Sequence, residues 1–390
     1  MSAISDPVAL LKRLIACPSV TPEAAGILDL LDAELAGLGF AVTRLRFEGD
    51  GSYPVDNLFA TIGAGSPHLL FAGHTDVVPP GDPAAWSHPP FEPTEIDGKL
   101  YGRGAADMKS GVAAFVAAAA AYAADPNRRG KLSIAITNDE EADAVNGTKK
   151  LVDWAIAQGH HFDFAIVGEP SSAERLGDSI KIGRRGSLNA EIVVTGMQGH
   201  VAYPDKARNP LPVAAAVVTA LKATPLDAGT AHFPPSNLEV TSIDVGNEAT
   251  NVIPARARIR LNVRFNERWT PETLTDWLRQ RIASVPALGV GVELAIPKPA
   301  SRSFLSPTGG GVTLLAKTIA AQCGSLPDLS TGGGTSDARF IAQHCPVAEL
   351  GVVGPSMHKV DEHVSIADVV GLTALYAEFM RRYFAAPAPG

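Results

Sequence analysis

A chain of 390 residues, 46% hydrophobic and 19% charged, can bury a full core, has room for two domains and is too apolar for intrinsic disorder. Its formal charge of -8, with no clustered basic stretch, argues against a sequence-independent grip on nucleic acid, where a concentrated positive surface must neutralise phosphates. The three cysteines, Cys17, Cys323 and Cys345, are odd in number and lack Cys-x-x-Cys spacing, which disfavours a disulfide framework or a thiolate zinc site and suits a reducing cytoplasm.

The first segment, MSAISDPVALLKRLIACPSV, carries a proline and charges inside its apolar periodicity and reads as an amphipathic helix rather than a signal sequence. Next, ILDLLDAELAGLGF has helical spacing, and HLLFAGHTD reads as a short apolar strand. GVAAFVAAAAAYAAD reads as a buried helix, short of the ~20 residues that span a bilayer. KLSIAIT and FDFAIVGE read as strands buried on both faces. This alternation predicts an α/β catalytic domain over 1–183, with a mixed, mostly parallel sheet flanked by helices. Sheets of this kind place ligands beyond the C-terminal ends of their strands.

From Arg184 the texture changes. Longer alternating strands, NAEIVVTG, NLEVTSIDVG and ARARIRLNVRF, are separated by the helical runs PLPVAAAVVTALKAT and PETLTDWLRQRIASV, which predicts a smaller inserted α+β domain over 184–298. The first texture returns over 299–390, with a helix at GVTLLAKTIAAQ, a glycine-rich loop at STGGGTSDARF, the strand PVAELGVVG and a closing helix at ADVVGLTALYAEFMRRYF. The final AAPAPG reads as a disordered tail.

Five short motifs stand where apolar runs end: FAGHTDVV with His74 and Asp76, YGRGAADMKSG with Asp107, AITNDEEA with Glu140 and Glu141, IVGEPS with Glu169, and MHKVDEHV with His358. Taken singly, each has an ordinary reading. His74 and Asp76 could be a polar strand terminus, Asp107 the N-cap of the next helix, NDEE a solvated turn, Glu169 a loop acid and His358 a surface residue. Taken together, two imidazoles and several carboxylates from distant points are what a pair of divalent cations requires. His74 and Asp76, two apart, share a face, so one can ligate while the other supports it; adjacent Glu140 and Glu141 point apart, so one can ligate while the other faces a bound water.

The order and gaps of these motifs resemble the dinuclear zinc amidohydrolases of the aminoacylase and carboxypeptidase-like metallopeptidase family, over essentially the whole chain. The resemblance implies two zinc ions, replaceable by cobalt or manganese. In it Asp107 bridges both metals, His74 and Glu169 complete one ligand set, and Glu141 and His358 complete the other. Asp76 supports His74, Glu140 is the general base, and the Asp107–Met108 peptide is cis. His358 is chosen over His363 because the family's histidine stands four residues before a glutamate, here Glu362. His200, in TGMQGHVAYP, matches a catalytic donor that reaches across from a partner subunit, which implies a homodimer built on the inserted domain, itself a lid.

GRRGSLNAEIVVTGMQGHVAYP, STGGGTSDARF and MHKVDE resemble the bacterial members of the family that split N-succinyl-LL-2,6-diaminopimelate into succinate and LL-2,6-diaminopimelate on the route to lysine. Arg184, Asn251, Arg264, Gly334 and Thr335 match the positions that hold substrate carboxylates, where arginine forks and glycine-flanked backbone amides suit an anion. The implied partners are a small-molecule substrate and a second copy, with no nucleic acid and no membrane. Two alternatives stand beside this reading: another N-acyl-amino-acid deacylase, such as one acting on N-acetylornithine, and a catalytically silent binding protein. The second predicts loss of a ligand or the base, yet all six positions are filled. The chain has no Gly-x-Ser-x-Gly and no phosphate loop ending in Gly-Lys-Ser/Thr.

Overall fold

The computed structural model describes residues 6–298 and 300–385; the tail reading beyond 385 lies outside them. The chain divides into two compact units. The larger runs to residue 182, resumes at 306–330 and continues from 336; the smaller is 183–305 with 331–335.

The larger unit is built on an eight-stranded sheet in the order Ala41–Gly49, Ser52–Ala64, Gly130–Thr137, His68–His74, Phe164–Val167, Val347–Glu349, Ser179–Lys181 and Asp328–Ser330. Four of its seven pairings are parallel, including the three that join the centre, so the sheet is mixed and mostly parallel. His68–His74 and Phe164–Val167 are buried along their whole length, as expected of strands covered on both faces. Much of the cover comes from Lys109–Ala124 and Ile366–Ala385, which pack on each other. The helix Lys109–Ala124 is buried all round as far as Ala119, and Phe115 stacks on Phe71 of the central strand at 4.0 Å.

One feature departs from the sequence reading. Ala41–Gly49 and Ser52–Ala64 form an antiparallel hairpin where no strand is anticipated. Arg44 and Arg46 interrupt the apolar alternation, because this edge strand is exposed to solvent. The available signal was the Asp50-Gly51 pair, whose φ values of 54° and 74° make the tight hairpin turn that Asp-Gly favours.

The smaller unit is a four-stranded antiparallel sheet in the order Asn237–Asp244, Arg256–Phe265, Gly186–Thr195 and Gly291–Ala295. Burial alternates strictly along Arg256–Ile259–Leu261 and its neighbours, so Leu188, Ile192, Val194, Ile259, Leu261 and Val263 face the core while Arg256, Arg258 and Arg260 face solvent. The helices Leu211–Lys222 and Pro271–Ala283 bury Val213, Val217, Leu274 and Leu278 in that core. Pro271 at the first turn and a Thr270–Thr273 capping box start the second helix. Among the described residues no helix is long and apolar enough to cross a membrane.

Candidate metal centre

Three neighbouring strands of the larger unit deliver acids and a histidine to one edge of the sheet. His74 is the last residue of His68–His74, Glu140 and Glu141 follow Gly130–Thr137, and Glu169 follows Phe164–Val167. Asp107 lies just ahead of the helix Lys109–Ala124, and His358 lies in the loop before His363–Ser365. The structure thus brings all six of these residues, scattered in sequence, to one place.

Asp107 decides the geometry. Its Oδ1 lies 3.2 Å from His74 Nε2, and its Oδ2 lies 3.3 Å from His358 Nε2. Glu169 Oε1 is 3.5 Å from His74 Nε2, and Glu141 Oε1 is 3.1 Å from His358 Nε2. Each oxygen of one buried carboxylate therefore addresses a different histidine, and each histidine addresses one further glutamate. Glu140 joins His74 and Glu169 in a group whose donor atoms all lie within 4.8 Å of one another. The peptide after Asp107 is cis, and Asp107 does not cap the helix, whose N-cap is Met108 with no side-chain bond. A side chain at Gly73 or Gly168 would collide with Met108 Cε, at 2.7 and 2.8 Å, so glycine at both strand ends admits the methionine that follows the bridging acid.

The donor set fits a metal pair. His74 Nδ1 lies 2.9 Å from the carbonyl of Asp76, which can only accept, so Nδ1 carries the proton of the neutral ring. Nε2 then faces carboxylate oxygens of Asp107 and Glu169, and a cation bound between them would satisfy all three acceptors. Donor separations of 3.1 to 3.5 Å also match the edge of a tetrahedron whose metal–ligand bonds are about 2.0–2.2 Å.

Asp76 supports this site in two ways, its Oδ1 lying 3.6 Å from His74 Nδ1. Its carbonyl holds His74, while its fully buried carboxylate accepts from the backbone N–H groups of Glu140 and Glu141 at 3.3 and 3.1 Å and from Thr21 Oγ1 at 2.7 Å. One residue thus positions both a histidine and the paired glutamates. Two buried acids escaped the sequence reading. Asp139 accepts from Val145 and Asn146 N–H and from the Tyr53 hydroxyl, which pins the paired-glutamate loop to the hairpin tip. Asp337 lines a small cavity with His74, Met108, Glu140 and Glu169; its only sequence signal was an acid directly after the glycine-rich loop.

The remaining candidates belong to the smaller unit. Arg184 is buried, and its Nη1 lies 3.3 Å from the carbonyl of Gly334; Gly333, at φ 102°, leaves the space that a side chain would take from that guanidinium. Thr335 ends the same loop. Arg264 donates through Nε to Asn262, while its buried Nη1 has no partner among the described residues. Burial, then the nearby charge of Arg185, lowers its pKa, which marks a cation short of an anion. Asn251 is exposed, and its carbonyl accepts from Val201 N–H. His200 is exposed on the short strand Gly199–His200; its Nδ1 accepts from Ala202 N–H, so the neutral ring carries its proton on Nε2 as a donor.

Comparison with known proteins places this arrangement. The sequence model of peptidase family M20/M25/M40 matches residues 70–382. The chain belongs to this family. Proteins named succinyl-diaminopimelate desuccinylase resemble it along nearly their full length: that of Rhodopseudomonas palustris strain BisA53 is 51% identical over 99% of this chain and 100% of its own, and that of Gluconacetobacter diazotrophicus is 54% identical over 98% of each. Among solved structures, an M20 family metallo-carboxypeptidase from Sulfolobus solfataricus is similar with a TM-score of 0.77 at 16% identity, covering 98% of this chain and 100% of its own. Human carnosine dipeptidase 1 is similar with a TM-score of 0.71 at 18% identity, over 98% of each chain. These distant likenesses bear on the fold alone.

The M20 centre is electrostatically divided. Burial opposes a charge on His74, yet hydrogen bonds from its ring to the carboxylates of Asp107, Asp76 and Glu169 hold its pKa well above the ordinary value. His358 is pushed up to about 10 by Asp107 and Glu141. Burial, and next the charge of Glu169, drive Glu140 well above the usual carboxylate range; Glu169 itself is pushed up to about 7 by burial and by Asp107. A carboxyl group driven upward beside other carboxylates holds a transferred proton better than one at its ordinary value, as a proton-transfer residue requires.

Proposed function

We infer that this M20 chain is a metal-dependent amide hydrolase that cleaves N-succinyl-LL-2,6-diaminopimelate to succinate and LL-2,6-diaminopimelate, a step of diaminopimelate and lysine biosynthesis. The substrate rests on relatives of that name at 50–54% identity over almost the whole chain. The observation that carries the chemistry is Asp107, whose two oxygens face two different histidines.

Two zinc ions are the proposed cofactors, with cobalt or manganese able to replace them, since oxygen and imidazole donors accept all three. His74, Asp107 and Glu169 would hold one, and Glu141, Asp107 and His358 the other. When bound, such metals lower the pKa of a water toward neutrality and polarise the scissile carbonyl. Glu140, free of the ligand sets, takes one proton from the attacking water and delivers it to the amide nitrogen as the amine departs. Asp76 keeps Glu140 in position through its backbone N–H. His200, proposed to come from the partner subunit of a homodimer joined through the smaller unit, donates its Nε2 proton in a hydrogen bond to the developing oxyanion. Arg184, Asn251, Arg264, Gly334 and Thr335 are the proposed carboxylate holders, and the unpaired Nη1 of Arg264 supports that reading. A cytoplasmic location is proposed with the pathway.

The test is amine release from N-succinyl-LL-diaminopimelate and from N-acetylornithine, using protein loaded with zinc and protein stripped by chelator. Zinc-dependent release from the succinyl compound alone is expected. Preference for the acetyl compound would overturn the substrate, and activity that survives complete metal removal would overturn the mechanism.

A further inference from the structure

The loop that carries Asp107 is irregular, yet residues 102–110 are all buried. A buried loop must find partners for its backbone N–H groups, and outside a helix or sheet these have to come from elsewhere. Here a single side chain takes three of them. Glu362 is 1% exposed; its Oε1 accepts from Ala106 N–H at 2.9 Å and Asp107 N–H at 3.1 Å, and its Oε2 accepts from Gly104 N–H at 3.0 Å and from Arg103 Nη1 at 2.7 Å. Its own carbonyl accepts from Gly102 N–H at 2.9 Å.

Glu362 stands four residues after His358, so the side chain that seats the Asp107 loop belongs to the loop that presents the second histidine. Arg103 closes the connection from the other side, since its Nη1 also lies 3.2 Å from the carbonyl of Lys359, next to His358. The His358 backbone is at φ 61° and that of Asp361 at φ 57°, left-handed conformations that only surrounding contacts hold for these residues. Asp361 is held in turn, accepting from Ser87 N–H and Oγ at 2.8 Å each.

The geometry points to Glu362 as a positioning residue that fixes Asp107 and His358 relative to one another and thereby sets the affinity of the metal they share with Glu141. The inference rests on the two-metal reading above. Glu362 reaches that metal through backbone and loop, never directly. A glutamine there matches the size but replaces one acceptor oxygen with an NH2 group, which must face N–H donors whichever way it turns.

The experiment is zinc titration of wild type and Glu362→Gln in metal buffers, with zinc per chain read by elemental analysis and the fold of the chelated proteins read by thermal unfolding. Loss of a residue that orients metal ligands typically costs 10–100-fold in metal affinity. The expected result is the zinc held by Glu141, Asp107 and His358 bound about 10–100-fold more weakly and the other, which shares only Asp107 with it, weakened by a smaller factor, with kcat restored by excess zinc at an unchanged KM. Should Glu362→Gln not fold, Arg103→Gln leaves the three backbone bonds intact and is expected to weaken the same zinc by a smaller factor. Two zincs bound with wild-type affinity in the folded variant, with only the unfolding temperature lowered, would overturn the inference and leave the metal mechanism standing. Wild-type protein that binds no divalent metal would overturn both.

Discussion

The functional side chains of the two units are held in opposite ways. In the larger unit His74, Glu140, Glu141 and Glu169 follow buried strands and Asp107 sits in a buried loop, while His358 lies on an exposed one; other residues fix them: Asp76 through its carbonyl and carboxylate, Asp139 through Val145 and Asn146, Glu362 through the Asp107 loop. In the smaller unit Arg184 is buried, Asn251 and His200 are exposed, and Arg264, on a half-exposed strand, keeps a buried N–H without a partner among the described residues. The first set is satisfied within itself apart from a cation; in the second, Arg264 is left open for an anion. A metal centre has to exist before substrate arrives, whereas a substrate grip is completed by the substrate, and the two patterns of satisfaction follow from that difference.

The sharpest way to break this comparison is at Glu140, the one acid of the larger unit assigned to proton transfer rather than to a metal. Glu140→Gln removes the basic oxygen and keeps the volume. The expected outcome is a fall in kcat of about 10²–10⁴-fold, the span general acid–base catalysis supplies, with zinc content unchanged. Turnover retained within a few fold, at normal zinc, would remove Glu140 from the role of base; loss of zinc would place it among the ligands instead.

A smaller effect is expected in the other unit. Arg264→Met keeps the aliphatic stem against its neighbours and deletes the charge. KM for the succinyl substrate should rise about tenfold, equivalent to about 1.4 kcal/mol, because a charge-assisted hydrogen bond is worth roughly that much or somewhat more. Zinc affinity should not move. An unchanged KM would mean that the open Nη1 serves packing of the strand and that the anion is held elsewhere.

The same contrast explains what could be read in the chain alone. The parallel core was legible because its strands are short, apolar on both faces and followed directly by acids or histidine; HLLFAGHTD carries the whole pattern in nine residues. The juxtaposition of His74, Asp107, Glu141, Glu169 and His358 was legible only as a set, since each alone resembles a cap, a turn or a surface residue. The hairpin of Ala41–Gly49 and Ser52–Ala64 was not, because edge strands carry solvent-facing arginines that hide alternation. Nor was Asp139, and Glu362 was visible only as the glutamate four residues after His358: an acid that binds backbone N–H groups has partners set by tertiary structure, which spacing in sequence does not announce. The division of labour in Asp76, carbonyl to one neighbour and carboxylate to others, is likewise invisible until the loops are folded.

The smallest expected effect lies in the same buried sheet but away from the metals, and it asks whether the larger unit's tight satisfaction extends beyond its site. His68 begins the strand that ends in His74 and is 4% exposed. Its Nδ1 lies 2.9 Å from the carbonyl of His161, so that nitrogen donates, and Nε2 lies 2.8 Å from Ser133 Oγ, which is also 3.1 Å from Thr61 Oγ1. Burial first, and then the charge of Lys131, lower its pKa from 6.5 to about 3. The unfolded chain therefore takes up this proton near pH 6.5 while the folded chain resists it until about pH 3. The neutral ring's contribution is whole above pH 6.5 and drains away below it, by at most about 1.4 kcal/mol per pH unit, until the folded pKa is reached. His68→Gln can still donate to the His161 carbonyl but has no proton to gain. Denaturant unfolding of the metal-free proteins at pH 7, 6, 5 and 4 should show the variant less stable at pH 7, with the gap narrowing steadily as pH falls. A gap that stayed constant would mean that His68 is protonated in the folded sheet, with Ser133 accepting from it, and that this core is less tightly specified than the metal centre above it.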